Sequence, residues 1–105
     1  MAKKLNPKEA KRILGHVPGE SVFWLNDGRS LGTLKDLSKV IGRMKKDVFE
    51  HHVNKEKNDF SNWIHDIIKD NKLASDLKKL KTKAGMAKKI KARVKQLEKL
   101  AKKAK

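Results

Sequence analysis

The sequence predicts a mostly helical protein with one short β-hairpin, a small α+β fold that ends in a long basic helix. Apolar residues recur at three- and four-residue spacing along most of the chain, which is the period of an amphipathic helix. One segment, residues 21–25, is rich in strand-forming side chains and is followed by a turn-forming Asn-Asp-Gly run. With 105 residues, the chain has room for a single core.

The first two predicted elements are a helix and the hairpin. Asn6 is a capping residue and Gly15 provides a stop, so we predict a helix over residues 7–14. The strand at 21–25 pairs with a second short strand at 29–31 across the Asn-Asp-Gly turn. Because an isolated hairpin is only marginally stable, we expect it to pack on the helices.

Three short helices are predicted in the middle of the chain. Thr33 begins the first, which Gly42 ends, and Asp47 caps the second. Asn58-Asp59 caps the third, which has the strongest apolar pattern in the sequence. Its apolar residues are Phe60, Trp63, Ile64, Ile67 and Ile68.

The chain ends in two helices of different character. Asp70-Asn71 precedes a short helix whose apolar residues run from Leu73 to Leu80. Thr82 caps a last helix of about twenty residues, in which lysines flank a narrow apolar stripe. The stripe consists of Met86, Ile90, Val94, Leu97 and Ala101.

The net charge of +16 is concentrated at the two ends of the chain. Residues 1–12 carry five basic side chains and one acidic, residues 78–105 carry thirteen and one, and residues 13–77 carry ten of each. We therefore divide the chain into a basic segment at 1–12, a compact neutral domain at 13–81 and a basic helix or tail at 82–105. Such blocks of like charge repel one another unless a polyanion relieves the repulsion, which favours binding to nucleic acid.

Several function classes lack the residues that they require. The chain has no cysteine, which excludes disulfides, thiolate zinc sites and cysteine nucleophiles. It has no Gly-rich phosphate loop and no Ser motif for catalysis, so we expect neither enzymatic activity nor a cofactor. No apolar run approaches the roughly 20 residues that cross a bilayer, and we expect a soluble, cytoplasmic protein.

The histidines and tryptophans are expected in structural roles. His51 and His52 are adjacent, so they point about 100° apart on a helix and with His65 are poorly arranged for a metal site. We expect no metal, and one buried, hydrogen-bonded His52. Trp24 and Trp63 lie in apolar patterns, and we expect both mainly in the core, with Trp24 keeping an exposed edge.

One part of the chain resembles a known domain. The run FEHHVN at 49–54, followed by NDFSNWIHD at 58–66 and by Leu73-Ala74, resembles a small domain of unassigned function found mainly in archaeal and candidate-phylum bacterial proteins. In that domain an aromatic strand, an Asp-Gly turn and a Leu-rich helix precede the His-Val-Asn segment. The likeness spans about residues 21–95 and departs most in the lysine-rich extension past Ile90. It implies the same elements but no activity.

The leading hypothesis is a non-enzymatic, architectural protein of the nucleoid that binds the phosphate backbone of nucleic acid without reading its sequence. The basic side chains are 24 Lys and 4 Arg, and lysine is a hydrated point charge, whereas arginine makes the bidentate contacts that read guanine. Duplex DNA is slightly favoured over RNA, because the Ala-Lys-rich tail resembles nucleoid-compacting tails. The predicted contacts are Lys3, Lys4, Lys8, Lys11, Arg12, Lys88, Lys89, Lys91, Arg93, Lys95, Lys99, Lys102 and Lys103.

The sequence leaves three alternatives open. A ribosome-associated protein whose tail is embedded in rRNA has nearly the same charge requirement. The stripe formed by Met86, Ile90, Val94 and Leu97 would also suit a short coiled-coil homodimer or a protein partner. A basic amphipathic helix fits an anionic membrane as well, but the last helix has no Trp or Phe to anchor it, which disfavours that class. The proposed division predicts that truncation at about Leu80 leaves a folded domain.

Overall fold

The computed structural model describes residues 5–102 of the chain. One helix precedes a two-stranded antiparallel hairpin, and five helices follow it. The bounds are α1 Pro7–Leu14, β1 Phe23–Trp24, β2 Ser30–Leu31, α2 Leu34–Val40, α3 Lys46–His52, α4 Asp59–Trp63, α5 Asn71–Lys78 and α6 Lys83–Lys102. The predicted fold, mostly helical with one short hairpin and a long C-terminal helix, is confirmed. No helix within the described residues is long and apolar enough to cross a membrane.

Side-chain caps fix the start of five of these helices. In each, the side-chain oxygen of the cap accepts a hydrogen bond from the backbone N–H three residues further on, as the sequence predicted for Asn6, Thr33 and Thr82. The caps are Asn6, Thr33, Asn58, Asp70 and Thr82. The prediction for α3 was wrong, because that helix begins at Lys46, which leaves Asp47 inside its first turn and Lys45 at the cap position without a side-chain bond.

The hairpin forms across the predicted turn. Phe23 pairs with Leu31 and Trp24 pairs with Ser30. The N–H of Gly28 closes the turn through a 2.9 Å hydrogen bond to the carbonyl oxygen of Leu25. The φ angle of Gly28 is 97°, a left-handed conformation that glycine adopts without steric cost.

The two tryptophans lie in different environments. Trp63 is buried, and its indole Nε1 donates a 2.8 Å hydrogen bond to the carbonyl oxygen of Ser21, just before the hairpin. Trp24 is 66% exposed, so the expectation that it lies mainly in the core was wrong. Successive side chains of a strand point to opposite faces, and Phe23 takes the inner face.

A π-helical turn at Ile64–Ile68 continues directly from α4. The N–H groups of Lys69 and Asp70 both donate to the carbonyl oxygen of Ile64, at 2.6 and 3.2 Å. Lys69 has a left-handed φ of 63°, which ends the turn. The guanidinium of Arg12 donates to the carbonyl oxygens of Ile68 and Lys69, at 3.0 and 3.1 Å, so α1 satisfies the end of this turn.

One hydrophobic core joins the hairpin and all six helices. Phe23 stacks on Phe60 with ring centroids 5.0 Å apart, and helices α1, α2 and α5 pack on α6. The core residues that α6 contributes are Met86, Ala87, Ile90, Val94 and Leu97. The predicted boundary between residues 81 and 82 therefore separates blocks of charge, whereas the core runs across it. This packing reverses our expectation about truncation at Leu80.

Candidate nucleic-acid interface

The outer side of α6 carries a continuous row of lysines, which we call the lysine face. Its members are Lys88, Lys91, Lys95, Lys99 and Lys102. Their three- and four-residue spacing keeps them on one side of the helix over about 21 Å, at 1.5 Å per residue. All five are exposed, and none forms an ion pair with a carboxylate of the described residues.

The lysine face points outward because the opposite side of α6 is buried. Met86, Ile90 and Leu97 are 0% exposed, and Val94 is 5% exposed. Burial of apolar side chains contributes about 25 cal/mol per Å², so this stripe determines how the helix is turned. The stripe that was predicted to pair with another copy thus packs inside this chain. A homodimer or membrane contact through this stripe stays a prediction, and it would require the stripe to leave the core.

Two basic residues from another part of the chain extend the lysine face. Lys39 at the end of α2 and Arg43 in the 3₁₀ turn that follows line a recess of about 530 Å³ together with Lys91. No carboxylate from the described part of the chain lines this recess. The 3₁₀ turn lies close to α6, since a methyl group built on Gly42 would lie 4.0 Å from Lys91 Nζ. Three positive charges therefore surround one depression beside α6.

Lys39 and Arg43 were missed because the charge of residues 13–77 was counted as one block. A shorter window would have found them: residues 37–46 contain four basic side chains and no acidic one. Within that window, Lys39 and Arg43 are four residues apart, which is one helical turn. They lie on the same side of α2 and its extension and thus reach the same recess.

Arg93 was predicted to contact phosphate, but the structure commits it to an internal ion pair. Its Nε and Nη2 donate to the two carboxylate oxygens of Asp70, at 2.8 and 2.9 Å. The side chains of Arg93 and Asp70 are 10% and 2% exposed. Asp70 also caps α5, so this bidentate pair joins α5 to α6 and turns the Arg93 side chain away from the lysine face.

Two other predicted contacts also point away from the lysine face. Arg12 is bonded to Glu9 and to the end of the π-helical turn, as described above. Lys89 lies on the side of α6 that faces α5, where its Nζ is 3.9 Å from a carboxylate oxygen of Asp76. Arg12 therefore has a structural role, and Lys89 stands at the edge of the basic surface.

The N-terminal helix carries two more of the predicted residues. Lys8 and Lys11 are exposed on the side of α1 that lies opposite the buried Ala10 and Ile13. Since α1 packs on α6, both basic ends of the sequence belong to one body. Lys3, Lys4 and Lys103 lie outside the described residues.

His52 is buried and hydrogen-bonded, as predicted. Its Nε2 accepts a 3.0 Å hydrogen bond from the backbone N–H of Asn26, and its Nδ1 lies 3.0 Å from Asp59 Oδ2. Because a backbone amide only donates, Nε2 must be unprotonated and Nδ1 must carry the proton that Asp59 accepts. Both ring nitrogens thus have protein partners, and His52 links the hairpin to α4.

The carboxylate of Asp59 is held in its charged form. Burial alone would raise the pKa of Asp59, but hydrogen bonds from His52 and Lys57 outweigh it and lower this pKa below its ordinary value of 3.8. No group of three His, Asp or Glu side chains between residues 5 and 102 is arranged to hold a metal ion. The hydrogen bonds of His52 to Asn26 and Asp59 join the hairpin turn to the start of α4.

Comparison of the chain with protein-family models, with curated proteins and with solved structures finds no match. The resemblance described from residues 21–95 stays a prediction.

Proposed function

We propose that this chain is a non-enzymatic nucleic-acid-binding protein that contacts backbone phosphates through the lysine face of α6. The single observation that carries the proposal is the row of five exposed lysines that have no carboxylate partner among residues 5–102, on a helix held in place by the core. Lysines fixed on a rigid helix need no ordering of the backbone when they meet a row of phosphates. Less conformational entropy is then lost on binding.

The proposed binding is independent of nucleotide sequence. Phosphate contacts position a protein on nucleic acid, whereas contacts to base edges specify the sequence. The lysine face contains no arginine, and Arg93 is bonded to Asp70 rather than exposed for bidentate contact with guanine. Arg43 supplies one guanidinium at the edge of the face, where we expect it to bind phosphate together with Lys39.

We favour duplex DNA as the ligand, as in an architectural protein of the nucleoid. Its phosphates form a regular negative surface, at one charge per about 1.7 Å of helix axis, that an exposed straight row of lysines can follow. Structured RNA, as in a ribosome-associated protein, is the competing ligand, and the same titrations decide between the two.

The proposal is tested by titrating the full chain against labelled duplex DNA and labelled structured RNA over a range of salt concentrations. A triple variant, Lys88→Gln, Lys95→Gln and Lys99→Gln, removes three charges from the lysine face and keeps unbranched polar side chains there. We expect the slope of log affinity against log salt to become shallower by about 0.9 for each phosphate that is no longer neutralised, so by about two to three on DNA.

The matched control removes three charges elsewhere, through Lys46→Gln, Lys72→Gln and Lys79→Gln, all of them exposed. The control should keep most of the wild-type slope. Equal reductions in both variants would mean that only the overall charge matters and that α6 has no special role. A wild-type chain that binds neither duplex DNA nor RNA would refute the proposed function altogether.

A further inference from the structure

A second basic cavity lies at the N-terminal end of α6, and none of the predicted phosphate contacts lines it. It is a cleft of about 590 Å³ between the connection from α3 to α4 and the connection from α5 to α6. Its volume falls within the range of about 300–1,000 Å³ that is typical of small-molecule sites. The cleft is thus large enough for a ligand of nucleotide size.

The walls of the cleft are strongly positive. Among the described residues, four lysines line it, Lys55 and Lys57 on one side and Lys78 and Lys81 on the other, against a single carboxylate from Glu56. Lys57 is paired with Asp59 at 2.9 Å. Within residues 5–102 the other three lysines form no ion pair, so their charges are not neutralised inside the protein.

The wall formed by the α3–α4 connection is held rigidly by its own hydrogen bonds. The backbone N–H of Asn54 donates to the carbonyl oxygen of Lys57 at 2.9 Å, and Val53 forms a β-bridge with Asn58. The side chain of Asn58 caps α4 and donates to the carbonyl oxygen of Leu77 at 3.3 Å, which ties this wall to α5. The lysines therefore stand on two walls that are joined at the floor of the cleft.

The remaining lining supplies a polar donor and an apolar floor. The side-chain amide of Asn62 makes no hydrogen bond to another part of the described chain, so its two N–H donors are available to an oxyanion. Val53 and Leu80 are half-buried and apolar. The lysines and the amide donor can bind a phosphate, and the apolar floor can contact a sugar attached to it.

We propose that this cleft binds the phosphate group of a nucleotide. Lys78 and Lys81 supply the charge, Asn62 donates to a phosphate oxygen, and Leu80 contacts the sugar. That the natural source is a strand of nucleic acid bound by the same protein rests on the proposed function above, since the lysine face runs along α6 from the end where this cleft lies. A free nucleotide would present the same phosphate chemistry.

The test follows amide signals in ¹H–¹⁵N NMR spectra of the full chain as a ligand is added. The ligands are inorganic phosphate, a thymidine mononucleotide and a short single-stranded thymidine oligonucleotide, with sodium chloride of equal ionic strength as the reference. We expect saturable shifts at the Asn62 side-chain amide and at the backbone amides of Lys55, Lys78 and Lys81. If the oligonucleotide binds more tightly than the mononucleotide, the natural source of the phosphate is a nucleic-acid strand. If the two bind equally, the source is a free nucleotide.

Two charge-matched double variants separate a specific site from general attraction. Lys78→Gln with Lys81→Gln should weaken binding at Asn62 by about tenfold or more, because one hydrogen bond between charged groups is typically worth that factor. Lys46→Gln with Lys79→Gln, which lie outside the cleft lining, should leave those shifts in place. Both pairs are exposed, so neither variant should unfold the chain.

The cleft proposal is overturned if the shifts at Asn62 are no larger than those caused by sodium chloride, or if the two double variants weaken them equally. The cleft proposal and the proposed function are refuted by different results. If duplex DNA shifts the amide signals of Lys88, Lys95 and Lys99 but not that of Asn62, the proposed function is supported and the cleft proposal is refuted. If the oligonucleotide binds at the cleft but neither duplex DNA nor RNA shifts the signals of the lysine face, the cleft proposal is supported and the proposed function is refuted.

Discussion

Arg93 lies two residues from Lys95 on α6, but the two side chains point to different sides of the helix. Lys95 faces outward as part of the lysine face, whereas Arg93 turns inward to the carboxylate of Asp70. Asp70 is nearly fully buried, and it also caps α5. The charge of Lys95 thus lies on the exposed lysine face, whereas the charge of Arg93 compensates a buried negative charge.

Replacing Arg93 should therefore destabilise the fold. Arg93→Ala leaves the Asp70 carboxylate buried without its partner, and breaking such a pair typically lowers the free energy of unfolding by about 3–5 kcal/mol. Urea unfolding followed by circular dichroism measures the decrease. Lys95→Ala, on the exposed side of the same helix, is the control and should change the stability by about 0.5 kcal/mol or less. Equal stability of the two variants would show that the Arg93–Asp70 pair contributes nothing net.

Asp59 makes the stability of the fold depend on pH. Its pKa in the folded chain lies below 3.8, the ordinary value, because the hydrogen bonds from His52 and Lys57 favour the carboxylate despite its partial burial. A lowered pKa means that the unfolded chain binds the proton more readily. The stabilisation is therefore fully present above about pH 4 and is lost as the pH falls through the folded pKa.

Asp59→Asn tests this pH dependence. We expect the difference in free energy of unfolding between wild type and variant to be largest near neutral pH and to shrink below about pH 4. Urea titrations at several pH values give this difference directly. Asp66→Asn removes a carboxylate that is 68% exposed and controls for the removal of one negative charge. A difference that stays constant down to about pH 2 would contradict the assignment.

At the scale of elements, the starts of helices could be predicted and their local distortions could not. Asn6, Thr33 and Thr82 act through bonds to residues three positions away, so the pattern is complete within the local sequence. The π-helical turn after α4 ends at the carbonyl oxygen of Ile68, to which Arg12 donates a hydrogen bond from 56 positions away in the sequence. No local pattern contains that interaction. The turn was accordingly predicted as ordinary α-helix.

The hairpin shows the same limit for the direction of side chains. Each strand has only two residues, so there is no alternating pattern long enough to tell the inner face from the outer one. Phe23 and Trp24 are both large and apolar, and the sequence placed both mainly inside. Their true positions follow from packing. Of the two residues, it is Phe23 that stacks on Phe60 and contacts the edge of the His52 ring.

In the candidate interface, too, features that depend on local spacing could be predicted, and features that depend on distant contacts could not. The lysine face could be predicted because helical spacing alone brings Lys88, Lys95 and their neighbours to one side of α6. The inward turn of Arg93 could not, because Asp70 is 23 positions away in the sequence. Lys39 likewise joins Lys91 only through the packing of α2 on α6.

At the scale of the whole molecule, the distribution of charge and the distribution of packing follow different boundaries. The positive charge lies at the two ends of the sequence, which suggests a neutral domain with two basic appendages. In the fold, however, α1 and α6 pack against each other and against α2, and their apolar residues are part of the shared core. A helix can be both a binding surface and a core element because its two sides face different surroundings.

Removing α6 should consequently abolish the fold rather than leave a smaller domain. A chain that ends at Leu80 lacks Met86, Ile90, Val94 and Leu97, and it exposes the apolar sides of α1, α2 and α5 that they cover. We expect no cooperative transition when this chain is titrated with urea. A full-length variant, Ile90→Ala, tests the same packing without truncation, and it should lower the free energy of unfolding by about 2–5 kcal/mol.

A separate peptide that spans residues 82–105 provides the complementary test. If α6 stabilises the fold by packing, adding this peptide to the chain that ends at Leu80 should restore a cooperative urea transition whose midpoint rises with peptide concentration. The same peptide with Ile90→Ala should restore it only at higher concentration, whereas Lys95→Ala should match the wild-type peptide. A sharp transition of the truncated chain without any peptide would mean that the core closes without α6 and that this helix is attached to a domain already complete.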